Sequence, residues 1–358
     1  MNYKERPILI ILIAGIGDLI LASKSFRAIK NGNPNADIHL LTSTEAFPIA
    51  RNFPYIDRVW AFPIRELRER KAYIFDVLRL VRELRKIDFN LIVNLYRIFS
   101  WRGAIRLGLL FLHLKAQSKV GQGYKGFGLF IDRKAPPGIF RDHHMADAME
   151  EIALLAGGIR DDKGVEVYWD RTVQNKWDYL FSSQNRGKTK LIGINPGGAR
   201  YNRRWEPKRY AWVAEQLNEQ YCAEIVLLGG PGEENLAAEI QKNMKRAATN
   251  LAGKLTLNDL VYIISRLDLL LTNDSGPMHI AAAIKTPVVA IFGPEDPRFF
   301  GPYTSHDLYR LLYKDIDCQP CKKKDCKRPL CLDQITPEEV FEKCVEIVNR
   351  DDSSLFFI

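Results

Sequence analysis

PILIILIAGIGDLILASKSFRAIKNGNP, residues 7–34, runs from an unbroken apolar stretch through two glycines and stops at a second turn. Ile8–Ile13 reads as a β-strand, Gly15 and Gly17 as a turn, and the residues after them as a helix ended by Asn31-Gly32 and Pro34, because glycine and proline punctuate regular structure. This is the opening of a βαβ unit. Further strands are expected at Asp37–Thr42, Arg58–Phe62 and Asn90–Leu95, with a helix over Glu66–Ile87 whose outer face is rich in Arg and Glu. The pattern restarts with KLIGINPGG (190–198), a helix from about Pro207 to Glu219, the strand EIVLLGG (224–230), a helix from about Glu233, and the strands LDLLLTN (267–273) and VVAIFG (288–293). Strands alternating with helices imply parallel, doubly wound sheets. The expected fold class is therefore α/β in two halves, with ligands at the carboxyl ends of the strands and in the cleft between the halves.

The domain boundaries follow from where this pattern weakens. Residues 1–160 form the first domain, 161–188 a charge-rich linker, 189–335 the second domain, and 336–358 a C-terminal helix and tail. Thr336 is the expected N-cap of that helix, with Pro337 in its first turn and Glu339 completing a capping box.

At 358 residues, with 46% hydrophobic and 27% charged, the chain suits two globular domains and not a disordered or low-complexity protein. The apolar run Ile8–Ala14 falls short of the ~20 residues that a membrane-spanning helix needs. It reads as a strand rather than a secretion signal, so a cytoplasmic protein is expected. Residues 1–160 carry 25 Lys+Arg against 15 Asp+Glu and the remainder 27 against 28, so the halves are +10 and −1. A segregated excess of this kind suits a surface facing an anion such as membrane phosphate, a phosphorylated glycolipid or nucleic acid, or else a solvated basic face without a partner. The segment SWRGAIRLGLLFLHL (100–114), apolar with Arg102 and Arg106, fits either a membrane surface or a buried helix, and the buried helix is the expected one.

Three stretches carry chemistry. Asn273-Asp274-Ser275-Gly276-Pro277-Met278-His279 follows a buried strand and opens a short helix. The unpaired N–H groups and partial positive charge of a helix N-terminus suit a phosphate there, with Ser275 and Gly276 at the N-cap and His279 in the first turn as a further donor. The plainer alternative is a helix cap and a packed histidine. Asn195-Pro196-Gly197-Gly198-Ala199-Arg200 is a glycine turn directly after a strand, with Arg203 and Arg204 close behind. Backbone amides at Gly197 and Gly198 and guanidinium forks suit a diphosphate, although the Gly-Lys-Ser/Thr ending of a P-loop is absent. Ala14-Gly15-Ile16-Gly17-Asp18 lacks the third glycine of a dinucleotide fingerprint, which leaves Asp18 notable. A carboxylate at a helix start is held ionised, as a general base requires, or is simply a cap.

CQPCKKKDCKRPLC places Cys318, Cys321, Cys326 and Cys331 within fourteen residues. That density suits a structural zinc or iron site with four thiolates, their charge offset by Lys322, Lys323, Lys324, Lys327 and Arg328. Four protein ligands leave no open position for catalysis, and four reduced cysteines without a metal are the alternative.

These motifs together resemble glycosyltransferase family 9, the group containing the ADP-heptose:lipopolysaccharide heptosyltransferases. The resemblance runs from GDLILASKSFRAIKNGNPNADIHLLT (17–42) through NPGGARYNRRWEPKRYAWVAEQL (195–217) to LLLTNDSGPMHIAAAIKTPVVAIFGPEDPRFFGPY (269–303). It implies a GT-B fold, two Rossmann-like doubly wound domains facing across a cleft, with acceptor on the first domain and nucleotide sugar on the second. Asp18 matches the residue that deprotonates the acceptor hydroxyl. Asp274, Ser275, Gly276 and His279 match the donor-binding corner. Arg203 stands where the family has a lysine on the leaving diphosphate, and Glu233, or else Glu234, matches an acid on the donor's hydroxyls. Ser23-Lys24 replaces a usual Thr-Pro, which implies altered acceptor contacts. The cysteine cluster occurs in part of the family.

The implied reaction is inverting transfer from a nucleotide sugar, ADP-heptose first, to an anionic glycolipid or glycan at the cytoplasmic face of the inner membrane. The helix N-terminus, the glycine turn and Arg203 would meet the leaving-group charge, so no catalytic metal is required, and no nucleic-acid partner is expected. Competing readings are a GT-B-type transferase with another donor, a sugar-nucleotide epimerase, and a nucleic-acid-binding protein that uses the basic half and a zinc knuckle.

Overall fold

The computed structural model describes residues 7–69, 73–98, 100–123, 128–136, 138–181, 189–319, 321, 326 and 329–353. The chain divides into two compact units, Met1–Tyr168 and Trp169–Ile358.

In the first unit, strands β1 (Ile8–Leu12), β2 (Ile38–Ser43), β3 (Arg58–Phe62), β4 (Asp88–Asn94), β5 (Lys115–Gln122) and β6 (Arg133–Ala135) form one sheet in the order β3-β2-β1-β4-β5-β6. All of its ladders are parallel. The central strand β1, ILIIL, is buried along its whole length, as expected of a parallel strand covered by helices on both faces. Helices α1 (Ile16–Leu21) and α2 (Ser23–Gly32) follow β1 directly. The charged stretch 66–87 forms α4 (Ile64–Glu69) and α5 (Ile74–Arg85), after the short α3 (Phe47–Ala50). Next come α6 (Trp101–His113), the short α7 (Ile139–Asp142) and α8 (Met145–Leu155).

Helix α2 is anchored by charge as well as by apolar contact. Lys24 and Arg27 are each only 7% exposed. Lys24 Nζ pairs with Asp147 Oδ1 at 3.0 Å and Glu150 Oε2 at 3.1 Å on α8. Ser23 Oγ donates to the Ile20 carbonyl and accepts from the Glu166 N–H. The Ser23-Lys24 pair therefore packs α2 onto α8 and the 166 segment. A buried ammonium persists only where carboxylates compensate its lost hydration.

In the second unit, α9 (Thr172–Trp177) precedes strands β7 (Leu191–Asn195), β8 (Glu224–Leu227), β9 (Thr249–Asn250), β10 (Leu269–Asn273), β11 (Val288–Ile291) and β12 (Tyr309–Leu312). These form a second parallel sheet in the order β12-β11-β10-β7-β8-β9. Counted from its own first strand, this is the same order as the first sheet. Both units are Rossmann-like, and in each the strand order reverses beside the first strand. Helices α10 (Pro207–Tyr221), α11 (Glu234–Asn243), α12 (Leu257–Ser265), α13 (Gly276–Ile284), α14 (Pro297–Phe300), α15 (Leu330–Asp333) and α16 (Pro337–Ser353) complete the unit. The capping box of α16 forms as the sequence predicts: Glu339 N–H donates to Thr336 Oγ1 and Thr336 N–H donates to Glu339 Oε2.

Candidate functional site

The reversal point of the second sheet lies between β7 and β10, which run in register with Asn195 beside Thr272. Their carboxyl ends are stitched by polar side chains. Asn195 Nδ2 donates to Thr272 Oγ1 at 3.2 Å and to Ser275 Oγ at 3.3 Å, and the two hydroxyls lie 3.1 Å apart. Ser275 is the N-cap of α13, as the sequence suggests, but its hydroxyl makes no cap bond. It is committed to Asn195 and Thr272, which leaves the first-turn amides of α13 without a side-chain cap at the strand end.

Asn273 is the residue that sequence reading missed. It is wholly buried. Its Oδ1 accepts from the Trp205 N–H at 3.1 Å and the Tyr210 hydroxyl at 2.9 Å, while its Nδ2 donates to the carbonyls of Pro196 at 2.8 Å and Gly197 at 3.1 Å. Both donors and both acceptor lone pairs of the amide are in use, so one side chain fixes the glycine turn onto the end of β10. Asn273→Ala leaves several buried polar groups unmatched, at 1–3 kcal/mol for each such group. We expect it to destabilise the second unit by about 3 kcal/mol, read as a lower urea midpoint.

Arg203 bridges two acids. Its Nη1 lies 3.2 Å from Asp274 Oδ2, and its Nη2 lies 2.5 Å from Glu295 Oε1, which also sits 3.4 Å from Arg200 Nη1. Asp274 is 4% exposed and His279, on the buried side of α13, 6%. Glu295 lies in the GPED run after β11, a stretch whose acid carried no distinguishing pattern in sequence.

The glycine turn departs from expectation at Gly198. Its N–H donates to Glu233 Oε1 at 2.9 Å, and Glu233 Oε2 accepts from the Gly230 N–H at 2.9 Å. Arg204 closes this knot through the Gly198 carbonyl at 2.9 Å. A carboxylate thus holds the amide that the sequence assigned to a diphosphate, and two glycine turns are tied by one acid. A Cβ at Gly197 would lie 2.1 Å from Glu233 Oε2, which is why that position carries no side chain. Of the two candidate acids, Glu233 is the one at this turn, whereas Glu234 lies against Gly253.

In the first unit, Asp18 sits in the first turn of α1, directly after β1 at that sheet's own reversal point beside β4. Gly15 precedes the helix in extended conformation and supplies no side-chain cap. Asp18 is half-buried.

The structure gives no support to the metal cluster expected from the cysteine spacing. Among the described residues no group of three or more His, Cys, Asp or Glu is placed to hold a metal ion. The four thiols occupy different surroundings: Cys318 is exposed, Cys321 and Cys326 are half-buried, and Cys331 is buried. Cys331 packs into the core of the second unit, and burial pushes its thiol up to about 11. The cations at 322–324 and 327–328 lie outside the described residues.

The sequence profile of glycosyltransferase family 9 (heptosyltransferase) matches residues 77–331. This chain belongs to glycosyltransferase family 9. It is an enzyme of glycosyl transfer, and its two Rossmann-like units are those of the GT-B fold. The matched span begins beyond Asp18 and ends at Cys331. Lipooligosaccharide heptosyltransferase 2 of Campylobacter jejuni is 27% identical over 336 residues, covering 92% of this chain and 95% of that protein. In fold, the transferase is similar to a family 9 glycosyltransferase of Veillonella parvula, with a TM-score of 0.81 and 22% identity over 98% of this chain and 99% of that one. It is also similar to the ADP-heptose lipopolysaccharide heptosyltransferase II of E. coli, with a TM-score of 0.74 and 21% identity over 97% and 99%.

Proposed function

We propose that this transferase moves heptose from ADP-heptose to a hydroxyl of a lipopolysaccharide-core or related phosphorylated glycan, inverting the anomeric centre. The observation that carries the donor half is the stitched reversal point of the second sheet. There Asn195, Thr272 and Ser275 leave the N-terminus of α13 open toward an anion, and Arg203 stands beside Asp274. The heptosyltransferase relatives supply the sugar and the class of acceptor.

In this reading the acceptor oxygen forms a bond to the anomeric carbon while Asp18 takes its proton. The bond from that carbon to the diphosphate breaks, and the nucleoside diphosphate leaves with the electron pair. The developing negative charge falls on the Gly276 N–H at the start of α13 and on Arg203, which are oriented before the reaction starts. Glu233, with the Gly197-Gly198 turn that it holds, faces the donor's hydroxyls, and His279 and Asp274 complete the donor side. The reaction takes place at the cytoplasmic face of the inner membrane, where the basic first half meets a phosphorylated lipid glycan.

A thermal-shift titration tests this. ADP-heptose at about a hundred times its dissociation constant adds ~2.7 kcal/mol to the folded state, so the wild-type melting temperature rises. Asp274→Ala, which removes a donor-side carboxylate and one of the two acids that hold Arg203, is expected to abolish that rise. An equal rise with UDP- or GDP-sugars would remove ADP-heptose as the donor.

A further inference from the structure

The helix expected to be buried is covered on one face only. On α6, Ala104 and Phe111 face the core, but Trp101, Ile105, Leu109 and Leu112 are 57%, 56%, 53% and 71% exposed. Their spacing of four, four and three residues places them on one stripe of the helix, roughly 16 Å long at 1.5 Å per residue. On α5, Ile74, Phe75 and Leu78 are also exposed, at 45%, 75% and 47%. Both helices pack against the same face of the first sheet, through Leu80 and Leu84 of α5 and Leu107, Leu110 and Phe111 of α6.

The charge around this surface is predominantly positive. Residues 58–119 carry 14 Lys+Arg against 5 Asp+Glu, an excess equal to that of the whole chain, and no acid occurs between Asp88 and Asp132. Arg102 and Arg106 are exposed on α6, and Arg79, Arg82, Arg85 and Lys86 on α5 or at its end. No helix among the described residues is long and apolar enough to cross a membrane.

We propose that the outer faces of α5 and α6 are a docking surface for an anionic phospholipid bilayer, on which α6 lies flat. Its apolar stripe, with Trp101 at one end, enters the headgroup boundary while the arginines meet lipid phosphate. The charge argues against a second copy of this chain as the occupant, since facing two such surfaces brings arginines against arginines. The inference deepens the membrane-face reading above and rests on it for why a transferase visits a bilayer.

Flotation of the full chain with vesicles of phosphatidylcholine alone, or with about a third phosphatidylglycerol, tests it. We expect the wild type to float with the anionic vesicles only, and Ile105→Glu/Leu112→Glu to lower the bound fraction about ten-fold. Arg102→Ala/Arg106→Ala, which leaves the apolar stripe intact, should weaken binding and flatten its salt dependence. Equal flotation of wild type and both variants would overturn the proposal. So would absence of wild-type binding, whether the chain is then monomeric or self-associates through this face. The ADP-heptose thermal shift, measured on the same variants, should persist, so failure of lipid binding is separable from failure of the donor reading.

Discussion

Asp18→Asn is expected to lower turnover by about two to four orders of magnitude, the range a positioned general base supplies, while ADP-heptose still raises the melting temperature. The amide keeps the size of the carboxylate but cannot take the acceptor's proton. Asp18 occupies the first turn of α1 behind an N-cap that offers no side-chain acceptor. The residues that the proposal assigns to the donor on β7, β10 and α13 belong to the second unit, whereas Asp18 belongs to the first. Loss of kcat at saturating donor with an unchanged donor thermal shift is the result that supports the base role. Turnover within a few-fold of wild type would remove Asp18 from the chemistry and leave it a helix-start acid.

Arg27→Ala is expected to destabilise the first unit by about 3–5 kcal/mol, the penalty for breaking a buried ion-pair network by removing one partner. Arg27 is 7% exposed. Nε and Nη2 form a fork on Asp161 at 2.7 and 2.8 Å, and Nη2 also reaches the carbonyls of Lys163 and Gly164. Nη1 lies 2.7 Å from Glu166 Oε1, and Glu166 in turn accepts from Tyr168 OH at 3.0 Å. One side chain thus ties α2 to the last segment of the unit.

The hydrogen bond from Arg27 holds the Asp161 carboxyl down at about 2, against an ordinary 3.8. A carboxyl depressed in the folded state contributes its stability in full above the unfolded value, and that contribution is lost as pH falls through the folded one. The wild type should therefore lose stability from this pair between about pH 4 and pH 2. Arg27→Ala should lose no more there than an ordinary aspartate gives. Urea midpoints of both proteins at neutral pH and near pH 3 read the difference; parallel losses would show that Asp161 does not depend on Arg27.

Sequence alone determined the elements whose physics is local. The buried runs of β1 and β10 announce parallel strands, because a strand covered on both faces has no solvent side to show. Thr336-Pro337-Glu338-Glu339 announces the start of α16, because a capping box closes within one helical turn. The corner at 273–279 and the turn at 195–198 were legible as strand-end loops for the same reason. The polar β5, KAQSKVGQ, and the short β6, β9 and β12 were not, since their pairing with neighbouring strands rather than their own composition makes them strands.

Tertiary structure decided which groups meet. The apolar run at 100–114 reads as a buried helix until the sheet beneath it shows that only one stripe of α6 is covered. The four cysteines are close in sequence, yet Cys331 points into a core that draws on residues from Ile192 to Val348. The packing of Lys24 against Asp147 and Glu150 is not legible until α8 arrives beside α2. At the site itself, Asn195 and Thr272 are 77 residues apart, and Gly198 and Glu233 are 35 apart. Hydrogen bonds of that separation leave no periodicity in the chain. They exist because the crossover order of the sheet sets β7 beside β10, and only the folded sheet brings their carboxyl ends within reach of one another.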